Sequence, residues 1–171
     1  MRGIMEKIMK MDPCYSKKKT EEIFAVRKWL TPITIAKLDI PLNDRLWVLI
    51  GLLSQQQQRE FSRRCALDVI HLCVAPPVVK KYLKTGDETI REAAWLAVNS
   101  NICSFVCDFA FSAACTRDPE ITRDAAYHTA WEAAREGVWD TAKYTTYEEN
   151  CEKYISWCVE YLDGTKETTC E

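Results

Sequence analysis

Glycine and proline are scarce. Five glycines and six prolines in 171 residues leave little room for extended loops. Histidine is scarcer still: His71 and His128 are the only two, and no Cys-x-x-Cys pair occurs, so the ligand spacing of a structural zinc site is missing. A Gly-rich phosphate loop, an HExxH helix and a GxSxG elbow are likewise absent, and with them the commonest sequence marks of catalysis. No stretch of about 18 apolar residues is available to cross a membrane. The first ten residues carry Arg2, Glu6, Lys7 and Lys10, which breaks the apolar run of a secretory signal. A cytoplasmic location and no membrane partner are expected. The formal charge is −2, with Lys and Arg scattered among Asp and Glu. That balance supplies no footprint for direct nucleic-acid binding and no overall acidity of the kind a nucleic-acid mimic needs.

What is present suits a folded domain. Hydrophobic content of 47% with 28% charged residues is ordinary for a chain of this length, which is long enough to bury a core without staples. Residues 21–164 are expected to form a single helical domain, preceded by a short N-terminal segment (1–20) and followed by a disordered tail (165–171). Nine cysteines is an odd number. Cys65, Cys73, Cys103, Cys107, Cys151 and Cys158 fall on apolar faces of predicted helices, the pattern of reduced core residues. Cys103 and Cys107 could place two ligands on one helix face, yet they lie in the most apolar segment of the chain. No metal, cofactor or catalytic residue is assigned.

The pattern predicts an all-α fold: a compact bundle of six or seven helices around a long central helix, about 87–116. From Trp95 the residues Val98, Ile102, Phe105 and Phe109 step by three and four, and alanines and cysteines fill most of the remaining circumference. Such a helix would be about 45 Å long at 1.5 Å per residue. Asp118 and Pro119 cap an antiparallel partner, about 119–143. Before these, Thr20 caps a helix containing Ile23 and Phe24. Pro41 opens a helix with Leu42, Leu46, Leu49 and Leu53, and Ser54 caps one whose four glutamines form an exposed first turn, with Arg63, Arg64 and Asp68 on its outer side. Pro76-Pro77 begins a short helix stopped by Gly86. A last helix covers about Tyr147 to Asp163. The string from Thr89 to Trp95 recurs as Ile121 to Tyr127, consistent with two helices of a hairpin.

One aromatic residue sits oddly. If Tyr127, Trp131, Ala134, Val138 and Ala142 form the buried stripe of the partner helix, then Glu132, Arg135, Trp139, Lys143 and Tyr147 fall on its outer face. A tryptophan ringed by Arg and Glu has the composition of a protein-binding hot spot. The alternative is that the last helix folds over Trp139 and buries it.

The strings Pro41-Leu42-Asn43-Asp44-Arg45-Leu46-Trp47, Arg59-Glu60-Phe61 and Arg63-Arg64-Cys65-Ala66, with the alanine-rich segments Arg91 to Ala97 and Arg123 to Ala134, resemble small helical proteins of bacteriophages and mobile elements. That group is in turn similar to the alanine-rich immunity proteins found beside bacterial polymorphic toxins. The likeness spans roughly residues 41–140; the cysteine- and phenylalanine-rich central helix and the aromatic C-terminal helix depart from it. It implies a non-enzymatic inhibitor whose partner is a protein. The leading expectation is a phage-encoded antagonist of a bacterial defence system, of the anti-CRISPR or anti-restriction type. The alternatives are an immunity protein that neutralises a toxin and a small helical metal-assisted hydrolase.

Overall fold

The computed structural model describes residues 2–11, 15–25, 30–72, 75–99 and 141–164. Every regular element among them is helical: α1 (Arg2–Lys10), α2 (Lys17–Ala25), α3 (Pro32–Ala36), α4 (Leu42–Leu52), α5 (Gln55–Val69), α6 (Pro77–Thr85), α7 (Arg91–Asn99) and α8 (Thr141–Leu162), with 3-10 turns at Ile70–Leu72 and Glu88–Ile90. The all-α class expected from the sequence is therefore the observed one.

Local chemistry sets most of the helix ends. Thr31 and Thr34 close a reciprocal capping box at α3, with Pro32 in the first turn, and Ser54 with Gln57 does the same for α5. In α6 Pro77 occupies the first turn, where a missing N–H is harmless. Its end is Gly86 at φ +66, whose N–H donates to the Tyr82 carbonyl at 2.7 Å. The left-handed conformation favours glycine there, and the Arg63 guanidinium lies where a side chain on residue 86 would begin.

Within the described residues α4 is packed on most sides. Leu46, Val48, Leu49, Ile50 and Leu52 are buried over an arc of somewhat more than half its circumference. It packs against α1, α3 and α8, and α8 closes the bundle by also packing on α3 and α5. Burying each such side chain favours the fold by about 1.5–3 kcal/mol. The larger core so formed unites Ile8, Phe24, Ile35 and the α4 residues with Phe61 and Cys65 of α5 and Cys151, Tyr154, Ile155 and Cys158 of α8. A smaller core lies on the far side of α5, where Ala66 meets Ala75, Val79, Tyr82, Leu83 and Ala94. Consecutive residues Cys65 and Ala66 thus serve different cores, as the turn of about 100° between helical neighbours allows.

Several boundaries differ from the sequence expectation. Thr20 is not a cap: it is a buried residue inside α2 whose hydroxyl donates to the Ser16 carbonyl at 3.1 Å, while the Ser16 hydroxyl accepts the Lys19 N–H at 3.3 Å and is the true cap. The helix expected to begin at residue 87 starts instead at Arg91. Asp87 accepts the Thr89 N–H at 2.9 Å and hydroxyl at 2.6 Å, which closes a 3-10 turn first. Beyond Asn99 the expected central helix, with Ile102, Phe105 and Phe109, and its partner to residue 140 lie outside the described residues. The N-terminal segment forms α1 and buries Ile8 in the larger core. The last helix begins at Thr141, earlier than Tyr147.

Candidate functional site

Of the residues singled out from sequence, Glu132, Arg135 and Trp139 lie outside the described residues. Lys143 belongs to α8, and its side chain is likewise outside them. Tyr147 is half-buried on α8, packed against the larger core, and its hydroxyl donates to the Asn43 carboxamide oxygen of α4.

That bond is one of a set. Asn43, Asp44 and Arg45 are consecutive in the first turns of α4, and each ties a different part of the chain. Asp44 accepts from the Tyr15 hydroxyl ahead of α2. Arg45 donates to the Ala36 carbonyl at the end of α3 at 2.9 Å and to Glu152 of α8 at 3.4 Å. The Asn-Asp-Arg string is therefore occupied with assembling the bundle. The glutamine run of α5 is similar. Gln57 caps α5 and also donates to the Tyr161 carbonyl at 2.8 Å, and Gln58 is buried, donating to the Ile50 carbonyl at 3.2 Å. An exposed first turn holds only for Gln55 and Gln56.

The richest cluster lies on the seam between α5 and α8. Arg64 and Asp68, spaced by four on α5, face Lys153, Trp157 and Glu160 on α8, rather than lying on an outer side. Lys153 bonds Asp68, and Arg64 bonds Glu160 at 2.6 Å. The Arg64 guanidinium carbon stands 4.0 Å from the centroid of the Trp157 ring, and the Lys153 ammonium 5.7 Å from it. Tyr154 packs beneath, 5.1 Å from Trp157 and edge-on to Phe61 at 6.2 Å, and its hydroxyl donates to Asp68 at 3.5 Å. Trp157 is half-buried, held by two cations that are themselves held by carboxylates.

The electrostatics of the seam favour packing over reaction. Burial pushes the Tyr154 phenol far up, with Cys65 and Asp68 adding to it, so the phenol stays protonated. Burial also pushes up the Cys65 thiol, helped by Cys158 and Asp68 against Lys153 and Arg64. The Cys158 thiol rises through burial, against Arg64. Cys151 rises through burial, against a hydrogen bond from Tyr147. All three cysteines are free and buried. A protonated, buried thiol is a poor nucleophile and a poor ligand. Among the described residues no three His, Cys, Asp or Glu side chains converge on a metal site, and no helix is long and apolar enough to cross a membrane.

Elsewhere on the surface Ile33 and Leu96 are exposed. They stand singly, which is ordinary for large apolar residues. Trp157 was legible in principle, because Lys153, Trp157 and Glu160 share one face by spacing. What the sequence could not show was that Arg64 and Asp68 would come across to meet it. Compared with known proteins, the chain matches no family model, no curated protein and no solved structure.

Proposed function

We propose that this chain is a non-enzymatic inhibitor that works by binding another protein, with the α5–α8 seam around Trp157 as a contact surface. The observation that carries the reading is the arrangement of Trp157: a half-buried tryptophan fixed beneath Arg64, with Lys153 and Glu160 around it. Aromatic and arginine side chains dominate binding hot spots, and a ring already held in one rotamer loses less freedom on association. The target class rests on the phage-protein resemblance over residues 41–140. It is a bacterial defence component of the CRISPR or restriction type, with the chain as its phage-encoded antagonist.

Capture from bacterial cytosol followed by direct titration of the captured protein tests this. Arg64→Glu with Glu160→Arg keeps the ion pair but reverses both charges presented to a partner. That double variant also removes the cation over Trp157, so its thermal midpoint should fall slightly while it stays folded, and binding should fall by at least about thirtyfold, the effect of a hot-spot change of about 2 kcal/mol. A double variant that binds as wild type moves the contact away from the seam, and Trp139→Ala then tests the outer face of the 119–143 segment. A captured toxin in place of a defence component would make the chain an immunity protein.

A further inference from the structure

Gly51, near the end of α4, is half-buried and faces the end of α1. A β-carbon placed on it would lie 1.9 Å from the Met11 sulfur and 3.0 Å from the Met11 methyl. The thioether therefore lies flat against the α4 backbone, in space that any larger residue at 51 would occupy. The Met11 backbone is fixed by its N–H, which donates to the carbonyls of Lys7 and Ile8, each at 3.2 Å. It is half-buried and packs on the larger core beside Ile4 and the fully buried Ile8.

The helix that Met11 follows is otherwise held chiefly by Ile8, fully buried in the larger core, and by Ile4 packed beside it. α1 has nine residues, and an isolated helix that short is marginal in water. Its order depends on docking, and the docking is a few apolar contacts. Removing one of them changes the local opening equilibrium of α1 without unfolding the bundle.

We infer that the Met11–Gly51 contact is a redox latch: two-electron oxidation of Met11 by a hydroperoxide releases α1 from α4. In that step the thioether sulfur attacks the peroxide, the O–O bond breaks and a sulfur–oxygen bond forms. The other peroxide oxygen leaves as the alcohol or as water, so sulfur is oxidised and peroxide reduced. The sulfoxide is polar, and its oxygen requires water that the contact with Gly51 excludes. Met11 is half-buried as a residue, so a small hydroperoxide can approach its side chain when α1 opens locally, and methionine sulfoxide reductase reverses the change.

The experiment uses the full chain carrying Met5→Leu and Met9→Leu, with Met1 and Met11 oxidation assigned separately by peptide mass spectrometry. Hydrogen peroxide treatment is followed by a thiol reductant, which reverses disulfides and sulfenic acids and leaves sulfoxides. Amide exchange in residues 4–10 should then speed up by about tenfold in proportion to Met11 sulfoxide, the scale of losing one sulfur contact from a marginal local unit. Methionine sulfoxide reductase should restore protection where the thiol reductant does not. Gly51→Ala, which displaces the thioether, should show the faster exchange before oxidation and no further change after it. Met11→Ala gives the same null response if Gly51→Ala does not fold. Unchanged exchange with Met11 fully oxidised, or an equal effect of peroxide in Gly51→Ala or Met11→Ala, overturns the latch.

Discussion

The two cores of this protein are built differently. The larger one is filled by branched aliphatic and aromatic side chains around α4 and is tied by polar bonds between residues far apart in the chain: Asn43 to Tyr147, Arg45 to Glu152, Gln57 to Tyr161, Lys153 to Asp68. The smaller one leans on Ala66, Ala75 and Ala94 around Val79, Tyr82 and Leu83. Among the described residues its polar ties include Asp87 to Thr89, Arg91 to Glu88 and Arg59 to Glu88. Small residues let helices approach closely but bury little area each, whereas long-range ties require both ends of the chain to be in place. Among the described residues the long-range ties gather in the larger core, and from that we expect stability to concentrate there, with the smaller core set against its side through α5.

Core truncation should separate the two most. Leu49→Ala, at a fully buried site between helices, should cost toward the upper end of about 2–5 kcal/mol, and Leu83→Ala, among alanines that can close in, toward the lower end. Urea midpoints with unchanged slopes would measure both, and equal losses would break the comparison. Next in size is Gly86→Ala, which forces a β-carbon into the left-handed region and displaces Arg63, at a cost of about 1–2 kcal/mol. Lys153→Ala should cost at most about 1 kcal/mol, because the two charges of the pair are 36% and 27% exposed and screened by solvent, and more if Asp68 is left unsolvated.

The pH dependence sharpens the same contrast. The thiols of Cys65 and Cys158 are raised in the folded larger core. Their contribution is whole below the unfolded thiol value of about 8.5 and is lost as pH rises from there toward the folded values, because the unfolded chain ionises first. Denaturant midpoints should fall above that pH, and Cys158→Ala should flatten the decline. In the smaller region the change is slight and opposite in sign. Asp87 is held below the usual carboxylate range by the Thr89 hydroxyl and then its N–H. Its contribution is present above the ordinary carboxylate value and fades as pH falls through the lowered one. Thr89→Val should move the Asp87 titration, read by NMR, back up.

Features settled within one turn of chain were legible in the sequence. Pro41 ahead of α4, Ser54 at α5, and Pro77 with Gly86 around α6 are all decided by residues one to four positions away. Thr20 shows the limit of such signals, because Ser16 offered the same cap a turn earlier and left Thr20 inside the helix. The roles of Gln57, Gln58 and Arg64 were not legible. Each depends on a carbonyl or side chain supplied by another helix, and helical periodicity shows which face a residue is on without showing what comes to meet it. The same reason explains why Asn43-Asp44-Arg45 stood out as a motif while its use in assembling the bundle did not.

Native-state hydrogen exchange under mild denaturant tests most directly whether stability concentrates where α8 closes over α4. The amides of Val48 to Leu52 and Cys151 to Cys158 should exchange last, only through global unfolding, while those of α6 and α7 open earlier through a smaller local unit. Amides of α6 or α7 that outlast those of α4 and α8 would contradict it.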